Sequence, residues 1–129
     1  MTGATTRVSV ATDGTQATQA TGSVGTPGIS ADGRYVTFPA LASNLVPNDT
    51  NNTGDVFLHD RTTGRTTRIS VATDGTQGNG NSSVTQRAIS ADGRKITFSS
   101  IASNLSPDDH SPPSSILTDV FVRILDDRD

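Results

Sequence analysis

The chain has 129 residues, a length that suits one domain. Ten Lys and Arg against thirteen Asp and Glu give a net charge of −3 and no basic stripe, so nucleic acid is not expected as a partner. No apolar run approaches a membrane span, so no membrane partner is expected, and with no Cys there are neither disulfides nor thiolate metal sites.

Apolar residues make up 31% and aromatics 4%; with the 12 glycines the apolar share is roughly 40%, below the ~45–50% usual for globular domains. The gap is filled by 20 Thr and 15 Ser. Thr is β-branched and suits a pleated strand. Together with frequent Gly this composition points to β structure with many turns. The N-terminus has no signal-peptide pattern, which leaves the compartment open.

The chain opens on "TTRVSVATDGTQ" at residues 5–16, which returns as "TTRISVATDGTQ" at 66–77 with one conservative change, Val8 to Ile69. In chain order the next matched segment is "ISADGR" at 29–34, repeated at 89–94. Asp-Gly here predicts a tight hairpin turn. "RYVTF" and "RKITF" follow as strands in which Val36 and Phe38, or Ile96 and Phe98, share a face. After a polar loop containing "ASNL" come "DVFLHD" at 55–60 and "DVFVRI" at 119–124, again strands. The turn "RTTGR" then leads into "TTRISV". Each repeat thus reads as four strands, at positions a to d, and no stretch shows a helical period.

The phase of the repeat is offset. Along the chain the order is d, then a-b-c-d, then a-b-c. Residues 1–16 carry a fourth strand without its first three, 17–77 a whole unit, and 78–129 the first three strands of a second unit.

A four-stranded unit with Ser-x-Asp-Gly between its first two strands resembles the TolB-like β-propeller blade, with Ala31 and Ala91 where Pro is common. The longer pattern "ISADGR-x-x-x-F … ASNL … DVF" looks like a bacterial branch of that superfamily. The resemblance covers nearly the whole chain in two units. It implies an all-β fold of four-stranded antiparallel propeller blades, two per chain, and an N-terminal strand that closes the ring, an arrangement often called a velcro. Two blades cannot close a ring, since propellers have ~4–8. A head-to-tail homo-oligomer is therefore expected, three chains giving six blades or four giving eight, with three preferred. Its interface would join Thr5, Thr6, Arg7, Val8, Ser9 and Val10 of one chain to Asp119, Val120, Phe121 and Val122 of the next. The alternative is a two-blade excerpt of a larger secreted or surface propeller protein.

The sharpest chemical signal is the acidic loop at 49–60. Asp49, Asn51, Thr53, Asp55 and Asp60 offer hard oxygen ligands around Gly54, at spacings near those of a calcium loop, so calcium is the one cofactor to test. Against that, position 12 is Asp rather than a bidentate Glu, and the residues after Gly54 look like a strand. The plainer reading is a polar turn. Of the two His, His59 sits beside Asp60, so a general base is conceivable, but the second copy has Arg123 there. The recurring Arg7, Arg68, Arg34 and Arg94 suggest a structural role such as inter-blade pairing with Asp55 and Asp119, the alternative being an anionic ligand in a ring channel. The expected function is a non-enzymatic scaffold or binding module; a propeller hydrolase or lyase is the rival, and would need Asp49, Asp55 and His59 to converge.

Overall fold

The computed structural model describes residues 3–19, 26–47, 49, 53–85, 87–106 and 118–125. These residues form an all-β structure of two antiparallel sheets and contain no helix. The first sheet has the order β1 (Gly28–Ile29), β2 (Tyr35–Ala40), β3 (Asp55–Asp60), β4 (Thr66–Arg68). The second has β5 (Ser82–Ser83), β6 (Lys95–Ser100) and β7 (Asp119–Ile124). Neither sheet closes on itself.

The two central strands of each unit match the expected segments. β2 pairs with β3 from Tyr35 opposite Asp60 to Ala40 opposite Asp55, and β6 pairs with β7 from Lys95 opposite Ile124 to Ser100 opposite Asp119. The Ser-Ala-Asp-Gly turn sets both registers. In each copy the Asp carboxylate accepts from the backbone N–H two residues on (Arg34, Arg94) and from the Ser hydroxyl (Ser30, Ser90). Gly33 and Gly93 hold the left-handed φ of +76° and +73° that this turn needs.

Two expected strands come out differently. Position a of the second unit is broken: β5 pairs only with the end of β6, and Ile89 bridges Ile96 separately. Position d is short, because the Val71 N–H turns back onto the Ile69 carbonyl (2.8 Å) and leaves the ladder. At the N-terminus the same turn recurs, Val10 N–H to Val8 O at 2.9 Å, but residues 5–9 belong to no strand. Their sequence is that of β4; among the described residues they lack a ladder partner.

Directly opposed residues share a face, so each sheet has two distinct sides. On the first sheet Val36, Phe38, Ala40 and Phe57 lie on one side, with Phe38 and Phe57 stacked at 5.8 Å. Val56, Leu58 and Ile69 lie on the other, which packs against Val84, Ala88, Ile96 and Phe98 of the second unit. Val56, Ile69 and Ile96 are wholly buried there, each worth about 2 kcal/mol in apolar transfer. Tyr35 is packed against this cluster, its ring over Gly93. A second cluster gathers Phe38, Ala40, Ala42, Leu45 and Phe57, with Ala17 of the N-terminal segment beside it.

Candidate functional site

Among its described residues the acidic loop does not form one oxygen cage. Asp55 and Asp60 are five residues apart on β3, and a strand sends such positions to opposite faces. A helical or looped chain would be needed to turn both inward. Asp60 accepts two hydrogen bonds from the Arg34 guanidinium, both at 2.9 Å, and caps the following turn through the Thr62 N–H. This pairing holds the Asp60 carboxyl well below its ordinary value, at about 2. Asp55 lies on the other face, where its Oδ1 accepts from the Ser70 hydroxyl at 2.9 Å. Arg68 reaches Asp49 at 3.4 Å and Asp55 at 3.9 Å, with all three side chains almost fully buried. Burial pushes the Asp49 carboxyl up, against the pull of the Arg68 guanidinium. Thr53 is half-buried, and Asn51 lies outside the described residues. Among the described residues no three His, Cys, Asp or Glu side chains gather as a metal would require. The loop region is thus organised by arginine. Arg68 takes Asp55 within one sheet rather than between blades as expected, and Arg34 takes Asp60.

His59 points to the same face as Asp55 but has its own partner. Its Nδ1 lies 2.8 Å from the Thr66 hydroxyl, and that hydroxyl donates onward to the Val10 carbonyl at 2.6 Å. With its only proton spent on Val10, Thr66 must accept from His59, so Nδ1 carries the hydrogen. Burial holds the imidazole below its ordinary pKa. This is a relay that fastens the N-terminal segment to the first sheet, and it orients His59 toward Thr66 rather than toward a carboxylate. Thr66 adds a second tie, its N–H donating to Thr12 Oγ1 at 3.0 Å.

The N-terminal segment stands against the first unit as residues 66–79 stand against the second. Ala17 N–H donates to Ser9 O, and Gly78 N–H to Ser70 O, both at 3.2 Å. The Asn44 and Asn104 amides donate to the Gln16 and Gln77 carbonyls at 2.9 and 3.0 Å. Arg7 bonds Gln16, and Arg68 bonds Gln77. Residues 5–16 are therefore held in the position of a fourth strand preceding the first unit.

At the other end, β7 has a free edge among the described residues. It is the counterpart of β3, offset by 64, but its surroundings differ. Val56 and Leu58 are 0% and 5% exposed, whereas Val120 and Val122 are 74% and 58% exposed. Ile124 is 64% exposed. The sequence marked these positions as strand residues and Val120 and Val122 as expected interface residues; their degree of exposure comes from the structure. Ile29 reads in sequence as the end of a first strand, with no role at an interface; it is 57% exposed, while its counterpart Ile89 packs between the sheets. Comparison with protein-family models, with curated proteins and with solved structures finds no match to this chain.

Proposed function

We propose that this chain is a self-assembling β-propeller scaffold or binding module, with the two sheets acting as blades and chains joined head to tail into a ring. One observation carries the reading. The exposed apolar residues Ile29, Val120 and Val122 are the repeat counterparts of Ile89, Val56 and Leu58, which are packed in the interface between the two sheets. The two outer faces are thus the separated halves of an interface that the chain already builds once inside itself. Stacking a second chain so that its first sheet covers Val120 and Val122 repeats that interface and buries Ile29 as Ile89 is buried.

Such a contact is heterologous, with different surfaces meeting, and it terminates only if rotation closes a ring. Two units per chain give an even number of blades; three chains give six, within the range of ~4–8 seen for propellers. The repeated loop faces and the channel of such a ring are where a ligand would bind, in as many copies as there are chains. The test is native mass by light scattering. A value near three times the 13.4 kDa chain mass is expected. A one-chain mass together with cooperative unfolding would sink the reading. Val122→Lys should convert the assembly to single chains, because a charge on the covered face would be desolvated without a partner.

A further inference from the structure

We propose that residues 5–10 of a second copy of this chain pair with the free edge of β7 in one defined register: Arg7 opposite Phe121, Thr6 opposite Val122, Thr5 opposite Arg123. This rests on the head-to-tail reading and specifies what the neighbour contributes. The template lies within the chain, where β3 and β4 pair as Phe57 with Arg68, Leu58 with Thr67 and His59 with Thr66. Residues 66–71 and 5–10 differ only at Ile69 and Val8, and β7 is the repeat of β3. Almost the same strand therefore meets the equivalent edge.

The receiving side is shaped for it. Val71, Thr73, Phe98, Phe121 and Arg123 line a groove of about 190 Å³ beside β7. Their counterparts in the first unit are Val10, Thr12, Phe38, Phe57 and His59, and three of these hold Thr66 by hydrogen bonds. Thr5 of the neighbour takes the place of Thr66. Its hydroxyl donates to the Val71 carbonyl and its N–H donates to Thr73 Oγ1. Arg123 Nε is buried and has no hydrogen-bond partner among the described residues. Arg123 lines the groove at the place His59 holds in the first unit, and its Nη1 donates to the Ala72 carbonyl at 3.4 Å.

Charge is complementary along the same edge. Asp119 is exposed at the start of β7, and Arg7 is exposed on the N-terminal segment. In the first unit the matching Asp55 and Arg68 are buried together, with Ser70 donating to Asp55. Arg7 and Ser9 of the neighbour supply those two groups to Asp119. Val8 N–H donates to Val120 O, as Ile69 N–H does to Val56 O at 2.7 Å. A slip of one residue would turn Arg7 away from Asp119 and reverse every side chain, so the register is strongly specified.

The chain has no Cys, which makes cross-linking clean. Opposed strand residues have Cβ atoms about 5 Å apart, within reach of a disulfide after small adjustment. The variant carrying Thr6→Cys and Val122→Cys should form a ladder of covalent multimers on oxidation. The variant carrying Arg7→Cys and Val122→Cys, one residue out of register, should lose it. Mixing Thr6→Cys chains with Val122→Cys chains should yield the mixed two-chain product. Ladder formation only by the slipped pair, at an undiminished native mass, would overturn the register while leaving head-to-tail assembly intact. A one-chain native mass, or a disulfide formed within one chain, would overturn both. Ser9→Ala should raise the dissociation constant about ten-fold or more, the effect of one lost hydrogen bond to a carboxylate; no change would refute its role on Asp119.

Discussion

Gly33 and Gly93 occupy the same turn in the two units, and replacing each by Ala separates backbone strain from packing between the sheets. Both have φ near +75°, so an Ala at either costs about 1 kcal/mol in left-handed backbone strain. At Gly33 the new methyl would meet only Arg61 Nη1, at 3.7 Å, an ordinary contact with an exposed side chain. At Gly93 it would lie 2.2 Å from Tyr35 Cδ2 and 2.4 Å from Cε2, which no real contact tolerates. The ring cannot yield freely, since it packs on the core cluster and the Arg34 guanidinium sits 4.9 Å from its centroid. Repacking adds about 2 kcal/mol at this position. Gly33→Ala should therefore cost about 1 kcal/mol and Gly93→Ala about 3, a gap of roughly 8 °C in Tm for a chain of this size. Urea unfolding followed by circular dichroism, at one protein concentration, measures the difference. Tyr35 is the only Tyr and there is no Trp, so tyrosine emission reports on this contact directly. Equal costs for the two variants, with unchanged emission in Gly93→Ala, would refute the packing of Tyr35 across the two units.

Ser70 is fully buried, donating to Asp55 and accepting from the Val56 N–H at 3.1 Å. Ser70→Ala should cost about 2–3 kcal/mol in urea unfolding, because it leaves a buried carboxylate oxygen and a backbone N–H short of partners. Asp60 supplies a pH dependence. Its folded-state pKa of about 2 lies below the ordinary 3.8, so its contribution is fully present above that ordinary value and is lost as pH falls through about 2. With Arg34 partly exposed, the contribution after screening is on the order of 1 kcal/mol. Arg34→Gln should flatten the loss of stability between about pH 4 and pH 2; an unchanged acid limb would rule out the Arg34–Asp60 pair as its source.

The readable part of this protein is what neighbouring residues settle among themselves. The Ser-Ala-Asp-Gly turn closes its hydrogen bonds within five residues, from Ser30 to Tyr35 and from Ser90 to Lys95. The alternation in "RYVTF" and "DVFLHD" needs no distant partner to place β2 and β3. The repeat then carried the same reading to β6 and β7. In the acidic loop, linear spacing says nothing about direction once the chain becomes a strand, and β3 sends Asp55 and Asp60 to opposite sides.

Partners distant in sequence were decided only by the tertiary structure. Arg34 and Asp60 are 26 residues apart, and Tyr35 and Gly93 belong to different units. The uneven cover of equivalent residues is the clearest case. Val56 and Val120 sit at equivalent places in repeated strands, yet one is wholly buried and the other largely exposed. Local sequence determined that both are strand residues pointing to the same side of their sheets. Cover depends on what stacks against that side, a non-local property that emerges only when the two sheets pack and leave one face of each outermost.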